Sequence, residues 1–257
     1  MLTLNSDELH LWFAFSDEIQ NTELTKAYQN LMTPEEKVQQ QRFRFAKHQH
    51  QYLVTRALVR TTLSRYCSNV KPGEWRFVKN DYGKPEIIAS EGMPPLRFNL
   101  SHTENLIICG VVLEQEIGVD VEYMERKGTS VDIADRFFSQ QEVDDLYTLV
   151  ETQRLSRFFD YWTLKESYIK ARGMGLSLPL EQFTFHLLEH EPLHISFDSK
   201  LRDDPNRWQF WLLQPTAHHK AAISVSRGEN RRYQLTLKKV VPLMEDMPFS
   251  CSVLRQS

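Results

Sequence analysis

The chain has 257 residues, 41% of them apolar and 25% charged, with a net charge of −3. That is the balance of a soluble globular protein with one large domain or two small ones. So mild a charge gives no electrostatic basis for binding nucleic acid or an anionic membrane surface, and the longest apolar run, Leu106–Leu113, is far too short to span a bilayer.

Met1–Glu8 lacks the basic and apolar regions of a signal peptide. The three cysteines, Cys67, Cys109 and Cys251, have no CxxC spacing, which fits a reducing cytoplasm and speaks against a disulfide framework or zinc ribbon. In chain order, Leu11–Phe15 reads as a first strand, and Thr33-Pro34-Glu35-Glu36 as a capped helix start. A helix is expected over Tyr52–Tyr66, with Leu53, Ala57, Val59 and Leu63 as its core stripe and Arg56 and Arg60 one turn apart on a shared face. Trp75–Val78 reads as a strand and Asn80–Pro85 as a turn. Two strands follow, Leu106–Leu113 and Ile117–Glu122. Ser139-Gln140-Gln141-Glu142 opens a helix over Gln140–Val150, and a longer helix runs over Arg157–Arg172 and stops at Gly173. The remainder reads as strands at Phe183–Leu188, His194–Phe197, Trp208–Leu213, Ala221–Val225 and Tyr233–Leu237. The pattern is α+β, with two similar lobes expected over residues 1–115 and 116–257. The stretch Met244–Ser257 yields no reading.

Three places carry chemistry. In Ile117-Gly118-Val119-Asp120-Val121-Glu122, alternation puts Gly118, Asp120 and Glu122 on one face. Two such acids are either solvated on an outer face or converge on a cation, and an all-oxygen donor set favours Mg²⁺ or Mn²⁺ over zinc. At helical spacing Trp162, Glu166 and Lys170 share a face. This is a plain Glu–Lys surface pair, or, because the face is also aromatic, a third acid and a cation that need a partner. Ser101-His102 lies on an extended segment, where neighbouring side chains point apart. The two make a poor nucleophile–base pair; His102 is either a turn residue or a donor to phosphate. His48, His50, His218 and His219 lack matching ligands and read as surface residues.

The combination IGVDVE and WTLKESYIK, with TPEE at 33–36, RF at 42–43, YGKP at 82–85, FNLSH at 98–102, RFFS at 136–139 and GLSLPL at 175–180, resembles the Sfp-type 4′-phosphopantetheinyl transferases over roughly residues 30–185. The resemblance implies a pseudo-twofold monomer that binds coenzyme A between its lobes and transfers phosphopantetheine to a serine of an apo acyl or peptidyl carrier protein. By position it assigns Asp120, Glu122 and Glu166 to Mg²⁺, and Lys170 and His102 to the pyrophosphate. Gly83, Lys84 and Ser101 fall to the nucleotide end of coenzyme A, and Arg42 and Arg56 to its 3′-phosphate. Glu166 is also the expected general base. The chain departs from one bacterial pattern of the family, in which lysines stand where Glu36 and Gln39 are found here. The segment Tyr123–Phe138, with Arg126, Lys127 and Arg136, is the expected carrier-docking surface. Two rival readings differ in kind: a non-catalytic coenzyme A or carrier-binding module, which has no need of three acids, and a Mg²⁺-dependent nuclease, which needs a basic track this composition lacks.

Overall fold

A computed structural model describes residues 1–126, 128, 131–228 and 231–257, with the backbone alone at Leu176. The elements in chain order are β1 (Glu8–Phe15), α1 (Thr22–Leu31), α2 (Pro34–Gln41), α3 (Ala46–Tyr66), β2 (Phe77–Lys79), β3 (Pro85–Ile87), β4 (Leu96–Thr103) and β5 (Leu106–Leu113). They continue with β6 (Ile117–Tyr123), α4 (Ala134–Phe137), α5 (Gln140–Thr148), α6 (Glu151–Arg172), β7 (Phe183–His186) and β8 (His194–Phe197). The chain closes with β9 (Trp208–Thr216), β10 (His219–Ser226), β11 (Gln234–Val240), β12 (Asp246–Pro248) and β13 (Ser252–Gln256). No helix among the described residues is long and apolar enough to cross a membrane.

The chain forms two compact units, and they are interleaved rather than the two continuous halves expected. The first unit comprises Met1–Lys79, Pro85–Glu114 and Gln234–Ser250; the second comprises Asn80–Lys84, Gln115–Tyr233 and Cys251–Ser257. In the first, a sheet runs in the order β12-β11-β1-β5-β4. Its centre, β1, pairs parallel with β11 and antiparallel with β5. The expected stripe on α3, Leu53, Ala57, Val59 and Leu63, is fully inside, in one cluster with Trp12, Ile107 and Val111. In the second, β13-β9-β10-β6 form an antiparallel sheet. The aromatic run of α6, Phe158, Phe159 and Tyr168, is buried with Phe183, Phe210 and Leu212.

Helix ends form where side chains dictate them. Thr33 and Glu36 exchange capping bonds with each other's backbone amides, and so do Ser139 and Glu142. Gly173 ends α6 in the left-handed region, at φ 64°. Two helices begin earlier than the sequence reading placed them: α3 at Ala46 instead of Tyr52, and α6 at Glu151 instead of Arg157. Both start on residues, Phe45 and Val150, that make no side-chain cap bond, so no start signal is written there. Around Trp75 the strand begins two residues late. Trp75 itself is buried, with its indole N–H on the Ser64 hydroxyl at 2.8 Å.

Gly118 decides how close α6 lies to its sheet. A Cβ there would overlap the Ser167 carbonyl oxygen and the Ala171 amide nitrogen, both helix backbone. The space beside Gly118 is therefore filled by the helix. Gly118→Ala must push α6 off β6, and is expected to cost about 3 kcal/mol. Urea unfolding monitored by circular dichroism checks this; an unchanged midpoint would refute the close-approach account.

Candidate active site

The contact between β6 and α6 assembles the site in a simple register. Gly118 lies under Ser167 and Ala171, Asp120 meets Lys170, and Glu122 meets Trp162. Strand alternation turns Gly118, Asp120 and Glu122 to the helix face, and the helical repeat returns Trp162, Glu166 and Lys170 to the strand. Lys170 Nζ stands 2.6 Å from Asp120 Oδ1, whose side chain is 6% exposed. Trp162 Nε1 donates to Glu122 Oε1 at 3.2 Å, and its ring is held between Phe158 and Phe137. Arg126 approaches Glu122 Oε2 at 3.6 Å. Glu166 makes no hydrogen bond or ion pair among the described residues.

These acids repel one another in a half-dry setting. Burial, then the Asp120 charge, raises the Glu166 carboxyl to about 7 against the pull of Lys170. Burial and Asp120 also raise Glu122, in spite of Arg126 and the Trp162 N–H. Among the described residues three carboxyl groups stand here beside two cations, Lys170 and Arg126. An all-oxygen donor set of this kind fits a hard divalent cation. As they stand, no three His, Cys, Asp or Glu side chains among the described residues form a ready-made metal cage.

The lysine beside Glu166 has a different task. Lys165 is fully buried with its Nζ 2.6 Å from Glu142 Oε2 and donates to the Leu180 and Phe183 carbonyls at 2.8 and 2.6 Å. Glu142 in turn accepts from the Ser139 amide and hydroxyl and from the Phe185 amide. One closed network thus ties α5, β7 and α6 together and sets the rotation of the helix that presents Glu166. Spacing alone did not reveal it, although the capping-box glutamate was visible.

Set against known proteins, the 4′-phosphopantetheinyl transferase superfamily model matches residues 116–233, and the 4′-phosphopantetheinyl transferase N-terminal model matches residues 19–112. The 4′-phosphopantetheinyl transferase HetI of Nostoc sp. is 34% identical over 227 residues, 88% of this chain and 90% of its own length. The chain belongs to the 4′-phosphopantetheinyl transferase superfamily. The transferase Sfp of Bacillus subtilis is 33% identical over 190 residues, 74% of this chain and 81% of its own. A phosphopantetheinyl transferase of Thraustochytrium sp. is 28% identical over 204 residues, 74% of this chain and 69% of its own. The α+β class and the enzyme class read from the sequence agree with this membership.

The structure places the remaining expected contacts of this phosphopantetheinyl transferase as follows. Gly83 turns at φ 89° with open space beside it. Lys84 Nζ donates to the Ile117 and Ala171 carbonyls at 3.1 and 2.9 Å, so in this state it ties the turn to the ends of β6 and α6. Asn80, not singled out from the sequence, organises that turn. It accepts from the Tyr82 and Lys84 amides and donates to the Gly173 carbonyl at 2.9 Å.

Within the first unit, Ser101 is buried in β4, while His102 is exposed and lines a polar cavity of about 200 Å³ with Lys47, His48 and Gln51. Arg42 is exposed at the end of α2. Arg56 is not: its guanidinium meets Glu36 at 2.5 Å and lies over the Phe77 ring. Arg60, fully buried, meets the other oxygen of Glu36 at 2.9 Å. The shared face of the two arginines is thus occupied by Glu36. Two histidines depart from the surface reading: His219 is buried against Thr216 Oγ1 at 2.7 Å, and His50 reaches the Ser16 carbonyl at 2.9 Å. Lys127 lies outside the described residues.

Removing the ammonium in Lys165→Met leaves Glu142 buried without its ion partner, and is expected to cost about 3–5 kcal/mol. Adding Glu142→Gln should return part of that loss. A double-mutant cycle by denaturant titration checks the coupling, and strictly additive losses would refute it.

Proposed function

We propose that this transferase holds Mg²⁺, with Mn²⁺ as the chemical alternative, through Asp120, Glu122 and Glu166 while moving 4′-phosphopantetheine from coenzyme A to a serine of an apo acyl or peptidyl carrier protein. We further propose that it works as a cytoplasmic monomer. The observation that supports the reading is the gathering of three carboxyl groups where β6 meets α6, close enough that burial and mutual repulsion raise two of them. A divalent ion bound there would neutralise pyrophosphate oxygens and polarise the phosphorus under attack.

The reaction is a phosphoryl transfer, in which a protein mainly positions groups and offsets charge. The carrier serine oxygen forms a bond to the β-phosphorus of coenzyme A. The bond to the bridging oxygen breaks, and 3′,5′-ADP departs with the electron pair. Glu166 takes the hydroxyl proton on a lone pair that the cation does not use. Lys170 and His102 supply positive charge to the leaving phosphate. Gly83, Lys84 and Ser101 serve the nucleotide end. Of the two arginines offered to the 3′-phosphate, exposed Arg42 is the better placed, since Arg56 is committed to Glu36.

The decisive measurement is intact-protein mass spectrometry of apo carrier domains incubated with the protein, coenzyme A and Mg²⁺. A phosphopantetheine-sized gain is expected, abolished by EDTA and slowed by about 10²–10³ in Asp120→Ala. A gain indifferent to EDTA would overturn the metal assignment, and coenzyme A binding without any gain would favour a non-catalytic module. Glu166→Gln with near-normal turnover would remove the base.

For carrier docking, Arg126 is a poor probe because it leans on Glu122. Arg136, exposed over the Phe137 ring, is cleaner. Arg136→Glu should raise KM for the acidic carrier and leave KM for coenzyme A unchanged. Equal effects on both would refute the docking surface.

A further inference from the structure

The second unit contains another cavity, of about 350 Å³, which shares no residue with the three acids. Three cations line it, Arg157 from α6, Lys220 from β10 and Arg255 from β13, against one carboxylate, Asp160. Lys220, 5% exposed, lies against Asp160 Oδ1 and also donates to the Ser156 carbonyl at 3.4 Å. Arg157 is held by Asp145 at 3.1 Å and the Leu187 carbonyl at 3.3 Å. Arg255 is half-buried and makes no hydrogen bond or ion pair among the described residues, although its charge reaches Asp160. With Asp145 counted from outside the wall as the partner of Arg157, three cations face two acids, a surplus of one positive charge.

Two irregularities in the sheet deliver the groups. The β9–β10 register shifts between His219 and Ala221, at Lys220, and the β13–β9 register shifts between Val253 and Arg255, at Leu254. Consecutive strand residues ordinarily face opposite ways, and a bulge re-aims them. Here Leu254 and Arg255 both line the cavity, so that an apolar wall and a cation arrive together. Leu187 and Leu212 extend the apolar side and Gln214 adds an amide.

We propose that this cavity binds a small monocarboxylate with a short hydrocarbon chain, its oxygens on Arg255 and Lys220 and its chain against Leu187, Leu212 and Leu254. A single surplus charge suits a monoanion better than a phosphate dianion. The leucines have no use for a ligand without carbon.

The test is a titration of the full-length ¹⁵N-labelled protein with butyrate, followed at the Arg255 Nε–Hε signal. Saturable binding is expected, weaker by about tenfold for acetate, which lacks two methylenes, and weaker still for inorganic phosphate. Butyrate binding should weaken by about tenfold in Arg255→Gln, read from the backbone amides of β9 and β13. A non-saturating shift, butyrate binding unchanged in Arg255→Gln, or acetate or phosphate binding as tightly as butyrate would overturn the proposal. Should Arg255→Gln fail to fold, Leu254→Ser decides: it should weaken butyrate and leave acetate unaltered, and an equal effect on both ligands would overturn the assignment.

Discussion

The absence of a single carbon atom at position 118 governs the second unit. With no Cβ on β6, the backbone of α6 comes to rest against the strand, and Ser167 reaches across to Ser224 Oγ at 2.7 Å. Everything at the site depends on that approach. Asp120 and Lys170 meet because strand and helix are near enough for short and long side chains to join. The same closeness strips water from three acids at once, which is why the Glu166 carboxyl stands at about 7. The helix must also be held in rotation as well as in distance, and the buried Lys165–Glu142 network does this from its far side.

Much of this was legible in the residues, for identifiable reasons. The acids on β6 and their partners on α6 follow from periods of two and 3.6, which survive folding unchanged. Capping boxes at Thr33 and Ser139 are local exchanges between a side chain and an amide three residues on, so they too can be read directly. The starts of α3 and α6 could not, because Phe45 and Val150 offer no capping oxygen and tertiary packing sets those ends. Lys84 and Lys165 look alike in sequence, as cations beside motif residues. Their carbonyl partners lie far along the chain, and only the fold supplies them. The tail after Met244 resisted reading because its two strands are short and each joins a different sheet.

Glu36 shows how one half-buried acid sets the chemistry around it. It closes the cap of α2 and accepts both Arg56 and Arg60, which lie over Phe77. Burial raises its carboxyl, but the two guanidiniums more than offset this and keep it below the usual range. The guanidinium face of the two arginines is thus neutralised from within.

The pairing of β1 with β11 has a consequence for synthesis. The strand at Glu8–Phe15 lies at the centre of its sheet, yet one of its neighbours is Gln234–Val240, near the other end of the chain. The first unit is thus incomplete until Gln234–Val240 has left the ribosome, while β1, β4 and β5 wait with one backbone edge unsatisfied. Contacts of such sequence separation carry a large loop-closure cost and slow folding. Domain-by-domain folding from the amino terminus, the usual safeguard of larger chains, is denied to this one. A nascent chain arrested before residue 234 would expose a strand edge ready to pair with any other chain.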